Sequence, residues 1–182
     1  MLVAAALAGC GPTASESETD ETAETAPTLA AANCLPTGEF SGRIVGSLEG
    51  QLDWKGSALS CTGMRRPNGE GVRLRFSGPI DLAGGSRELA IIIALPALER
   101  GIATAETPAR ITMIEEDTGR FFSSGTAEIC WSDVERQDLL HDNSYDIRGI
   151  VYCVSPLAEL RGAGDVTFTE LFFAGQVDWS TP

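Results

Sequence analysis

The chain is 182 residues long and carries 26 acidic against 13 basic residues, a net charge of −13 at neutral pH. That balance argues against nucleic acid as a partner, because a phosphate backbone is bound by clustered cations that neutralise it. No apolar run approaches the roughly 20 residues a membrane-spanning helix needs, and the length suits one domain with room for a real core.

The chain opens on an apolar run that leads into Leu7-Ala8-Gly9-Cys10. Two small residues let an extended chain enter a peptidase cleft, and the thiol behind them is the one good nucleophile nearby for a lipid. These four residues and the run before them resemble a bacterial lipobox, the cleavage and acylation signal of secreted lipoproteins. The resemblance implies that a diacylglyceryl group joins the sulfur of Cys10, that residues 1–9 are the remnant of a signal peptide removed in front of it, and that the new amino terminus is acylated. It makes the lipid bilayer the first expected partner, since two or three acyl chains anchor stably where one binds only marginally. In Gram-negative lipoproteins a residue other than Asp after the lipidated Cys permits export to the outer membrane, and here that residue is Gly11.

Residues 11–32 hold Glu16, Glu18, Asp20, Glu21 and Glu24 among Ser, Thr, Ala and Pro, with no basic residue. Low hydrophobicity and uniform negative charge leave no apolar gain to offset the entropy of ordering. Residues 10–32 are therefore predicted to be the lipidated cysteine and an acidic, disordered, self-repelling tether, and residues 33–182 a single β-rich domain.

Within that domain a large apolar residue, a Gly and an aliphatic residue recur at i, i+2 and i+4: Phe40-Gly42-Ile44, Leu48-Gly50-Leu52, Phe76-Gly78-Ile80 and Phe173-Gly175-Val177. In an extended chain the three share one face, and the Gly leaves a gap that an aromatic ring of a neighbouring strand can cover. Val72, Leu74, Phe76, Gly78 and Ile80 alternate with mostly polar residues, the pattern of a half-buried strand. Asn68-Gly69 supplies a tight turn that pairs residues 57–64 back on it. Residues 89–95 are continuously apolar, which predicts a strand covered on both faces. Residues 109–115 and 120–124 flank a turn at Glu116-Asp117-Thr118-Gly119, and 126–133 follows as a strand. Residues 135–145 read as a polar loop, 146–154 as a strand, and 155–160 as a short helix with Pro in its first turn. The apolar face then changes from Val166 and Phe168 to Leu171, Phe173, Val177 and Trp179, which implies a bulge near Glu170 or a crossing between sheets. Together these elements predict an all-β fold, an antiparallel β-sandwich of nine or ten short strands, with a closed β-barrel as the alternative.

Beyond Cys10 lie Cys34, Cys61, Cys130 and Cys153, an even number in a chain whose signal implies an oxidising compartment. Two disulfides are predicted. Of three possible pairings, Cys34 with Cys61 and Cys130 with Cys153 is favoured, because each pair flanks strands expected to be neighbours. No two cysteines show the close spacing of a structural zinc site.

His141 is the sole histidine and no G-x-S-x-G elbow accompanies it. With Asp142, Asn143 and Asp146 it lacks the ligand order of an EF-hand loop, and Glu115, Glu116 and Asp117 read as a solvated turn. No catalytic residue, metal or cofactor is assigned. The expected class is a binding or structural module of the cell envelope; the alternative is an envelope hydrolase or other enzyme, marked by a strained nucleophile or a deep cleft with clustered carboxylates. Arg65, Arg66, Arg73 and Arg75, gathered around one hairpin, are the candidate contacts, their forked donors suited to an anionic small ligand or an envelope protein. Trp54, Trp131 and Trp179 read as core before they read as a sugar-binding face.

Overall fold

The computed structural model describes residues 34–68 and 70–180; the lipobox-like residues and the tether at 11–32 lie outside them. Twelve strands make up most of the described chain: β1 (Glu39–Gly46), β2 (Gly50–Lys55), β3 (Ser60–Arg65), β4 (Val72–Leu82), β5 (Gly85–Leu95), β6 (Thr104–Glu115), β7 (Arg120–Ser123), β8 (Cys130–His141), β9 (Ser144–Cys153), β10 (Leu157–Glu159), β11 (Asp165–Thr167) and β12 (Leu171–Asp178). The expected all-β, disulfide-stapled fold is present. The count exceeds nine or ten because β10 and β11 have three residues each, too few to show a period of two.

The strands form one sheet in the order β2-β1-β11-β10-β7-β6-β5-β4-β3-β12-β9-β8, with β1 also pairing with β12 and β6 with β8. Two strands change neighbour along one edge. Strand β12 meets β1 over Leu171 to Ala174 and β3 at Asp178, whereas β6 meets β8 over its first half and β7 over its second. At these strands the sheet turns over on itself, sandwich-like, around one core. All its pairings are antiparallel except the short β3–β12 contact.

The core follows the predicted apolar faces. Phe40 packs on Trp54 and Phe76, with ring centroids 5.2 and 5.0 Å apart, and Phe76 on Phe173 at 6.1 Å. Aromatic rings fill two of the four glycine gaps, at Gly78 and Gly175, whereas Leu171 covers Gly42 and Ile80 covers Gly50. A Cβ on Gly78 would stand 2.8 Å from the Trp54 ring, and one on Gly175 3.1 Å from Phe76, so any larger residue at either position displaces an aromatic from the core.

The bulge is also present. Thr167 faces Val45 and Leu171 faces Gly42, so Phe168, Thr169 and Glu170 oppose only Arg43 and Ile44. That extra residue moves the inward face from even to odd positions.

Four expectations need correction. Residues 157–159 form β10, not a helix, because a six-residue helix is not stable alone whereas Leu157 in strand form reaches the core and its neighbours pair with β7 and β11. Residues 135–145 are not a loop. Strand β8 runs to His141 and β9 starts at Ser144 around a two-residue turn, Asp142-Asn143; the stretch looked polar because only Gln137 among its middle residues is buried. The strand predicted at 126–133 begins at Cys130. The outer side of β5 is only partly covered, for Ile92 lies between Arg75 and Thr112 and Ala94 between Arg73 and Arg110.

Both favoured disulfides are formed, Cys34–Cys61 and Cys130–Cys153, the second between directly opposed residues of β8 and β9. They close loops spanning sequence separations of 27 and 23. Replacing Cys130 and Cys153 together by Ala should lower the unfolding free energy by about 3 kcal/mol in urea titrations.

Arg120 on β7 holds Glu159 on β10 through two hydrogen bonds, at 2.7 and 3.2 Å, and Gly164 N–H adds a third at 3.1 Å. The Arg120 guanidinium lowers the Glu159 pKa below its ordinary value, against partial burial, with help from Gly164. A carboxylate so depressed stabilises the fold above the ordinary Glu pKa of about 4.3, and the contribution fades as pH falls through the lowered value. Glu159→Gln should therefore be less stable than wild type at neutral pH, with the difference shrinking in urea titrations run below about pH 4.

Candidate binding cleft

Strand alternation separates the four hairpin arginines. On β3, Arg65 pairs with inward-facing Val72, whereas Met64 pairs with outward-facing Arg73. Arg73 and Arg75 thus stand on the outer face and Arg65 at the end of the sandwich. Arg75 donates to Ser77 Oγ at 3.0 Å and ion-pairs with Glu116, so it is a structural residue. Arg66 sits in the turn and reaches the Glu70 carbonyl. Arg73 is exposed, with no ion pair among the described residues.

At the end that holds Arg65 a cleft of about 750 Å³ opens, lined by Glu70, Pro96, Leu98, Arg100 and Trp179 as well. Its walls are fixed by two residues of the β8–β9 hairpin. Gln137, 8% exposed, donates to the carbonyls of Glu99 at 2.8 Å and Ile102 at 2.6 Å and accepts from Gly101 N–H at 3.3 Å. Asn143 accepts from Arg100 through its side chain and from the Trp179 amide through its carbonyl, both at 2.9 Å. One asparagine thus ties a guanidinium wall to an indole wall. Trp179 is 8% exposed and its Nε1–H is buried with no acceptor, a state that costs about 1–3 kcal/mol. The cleft is therefore lined by two arginines, the Trp179 side chain and apolar Pro96 and Leu98, with Glu70 and Glu99 beside them.

Other candidates resolve differently. Glu115 is buried and accepts from Thr118 Oγ1 at 2.7 Å, Glu116 is held by Arg75, and Asp117 accepts from Glu88 N–H at 2.8 Å. His141 and Asp142 sit at the exposed hairpin tip, whereas Asp146 is paired with Arg136 at 3.3 Å. The four domain cysteines, being oxidised in pairs, have no thiolate to give a metal. The tryptophans are dispersed: Trp54 in the core, Trp179 at the cleft and Trp131 on an outer face. Sequence reasoning missed Arg100 and Gln137 and weighed Asn143 only as a calcium-loop residue, since an isolated Arg after Pro96 and polar residues in an apparent loop carry no pattern.

Comparison of the chain with models of protein families, with curated proteins and with solved structures finds no match.

If Gln137 holds the 96–103 connection, Gln137→Ala should speed amide exchange at Gly101 and its neighbours and cost about 1–3 kcal/mol, because buried carbonyls and an N–H lose their partner. Hydrogen-exchange mass spectrometry with a urea titration checks both.

Proposed function

We propose that this protein is a lipid-anchored binding module of a bacterial cell envelope, held through acylated Cys10 and presenting the end cleft to a small anionic ligand. Gly11 favours the outer membrane, facing the periplasm, in a Gram-negative cell. The observation that carries the binding reading is the cleft, where Arg65, Arg100 and Trp179 stand on walls already fixed by Gln137 and Asn143. Donors placed before a ligand arrives lose little freedom when it binds, and guanidinium forks match carboxylate and phosphate oxygens. Glu70 and Glu99 select against polyanions by repulsion.

Support for the anchoring comes from the lipobox resemblance and from the two disulfides, which suit an oxidising compartment. Cys34, the first described residue, is bonded to Cys61, which opposes Phe76 of β4, while Arg65 of the cleft opposes Val72. At about 3.4 Å per residue the two positions are roughly 14 Å apart along the strands.

Full-length protein exported in a bacterial host should partition into detergent, and Cys10→Ser should move it to the aqueous phase; an unmodified Cys10 in membrane-fraction protein, seen by mass spectrometry, overturns the anchoring. For the cleft, titration with benzoate should give a saturable change in tryptophan fluorescence that benzamide does not, and Arg100→Gln should weaken it about tenfold. Equal responses to benzoate and benzamide overturn the anion reading.

A further inference from the structure

The outer face of β6, β8, β9 and β12 carries a second arrangement, independent of the cleft. Register sets Pro108, Trp131 and Tyr152 side by side on three adjacent strands, and Asp133, Ile150 and Phe172 one row along. Cys130, Ser132 and Val134 are buried, so Trp131 and Asp133 between them point outward. The Trp131 and Tyr152 rings lie 6.4 Å apart with 28° between their planes, both partly exposed, beside exposed Pro108.

A bulge in β6 brings a second acid to this row. Thr104 faces Val134 and Thr107 faces Ser132, so Ala105 and Glu106 together oppose Asp133. Glu106 has a φ of 53°, a left-handed conformation uncommon outside glycine, and its N–H donates to Asp133 Oδ1 at 2.7 Å. Burial, with the charges of Asp133 and Glu106, raises the Tyr152 pKa above its ordinary value.

Neither acid forms an ion pair with a basic side chain among the described residues. Elsewhere on the sheet Arg75 pairs with Glu116, Arg120 with Glu159, and Arg136 with both Asp138 and Asp146. Arg148, on the same outer face, lies over the Phe172 ring at 5.8 Å, and Arg110 stands beyond Pro108, on the side away from Glu106.

We infer that Trp131, Tyr152, Asp133 and Glu106 bind a small organic ammonium ion, a quaternary or alkylated amine. Ring faces carry the negative end of the aromatic quadrupole and attract such a cation, while its alkyl shell packs against the rings and Pro108. The carboxylates add attraction that a neutral molecule does not feel, and they repel anions. A glycan would use the rings but leave both acids without a countercharge.

The test is a titration of the protein with choline, followed at the Trp131 indole N–H resonance, which Trp131→Phe assigns. 3,3-Dimethylbutan-1-ol, the uncharged carbon counterpart of choline, and cellopentaose are the comparison probes. Choline should shift the resonance saturably, with an affinity about fivefold above that of the alcohol. Asp133→Asn keeps an acceptor for the Glu106 N–H while removing the charge, so it should weaken choline and leave the alcohol unchanged. Equal affinity for choline and the alcohol overturns the proposal, as does a response to cellopentaose alone or no response to choline.

Discussion

Strand β12 has one edge to share between two partners, and much of the molecule follows from how it does so. Its first residues pair with β1 and its last meets β3, while its other edge is filled along its length by β9. Because β11 has already paired with the far end of β1, the chain must fit three residues where β1 offers two. The resulting bulge changes which residues face inward. Continued from Val166 and Phe168 without that change, the alternation would put Trp179 on the outer face. With it, Phe173 and Val177 join the core and the Trp179 indole arrives at the cleft wall. Sheet closure and the candidate site thus depend on one extra residue.

The face change was legible in the sequence because both of its sides are written in large apolar residues, and so were the hairpins with apolar alternation or turn-forming pairs. Strands β10 and β11 were not, since three residues show no period and their existence depends on neighbours distant in sequence. The distal half of β8 failed for a different reason. Its side chains are mostly solvated, so it looks like loop, and only backbone pairing with β9 makes it a strand. The cleft shared this fate. Its walls come from separate connections, and the residues that fix them, Gln137 and Asn143, act through backbone carbonyls and amides that sequence does not display. The disulfide pairing was legible because it needed only neighbouring strands, not detailed geometry.

Charge on this acidic domain is organised locally. The net charge of −13 of the whole chain disfavours polyanions at a distance, yet over a few ångströms the nearest groups dominate because the field beyond about a Debye length is screened. The arginines divide accordingly. Those beside acids of other elements hold them together, Arg120 joining β7 to β10 and Arg75 joining β4 to the β6–β7 turn. Those at the sandwich end, Arg65 and Arg100, line a recess. The hairpin cluster apparent in the sequence was a one-dimensional grouping that alternation divides between two surfaces, which is why Arg73 and Arg75 do not reach the cleft.

The two ends of the domain are mechanically unequal. A terminus tends to fray unless it is tied down, and here the first described residue is covalently joined to Cys61, itself buried in the core. Under the proposed anchoring, any pull through the tether passes into β3 and its long hairpin partner β4, not into a loose end. The same hairpin carries Arg65 at its far turn. Cys61 and Arg65 lie near opposite ends of strand β3, so the covalent tie and the cleft are joined through one hydrogen-bonded two-stranded element.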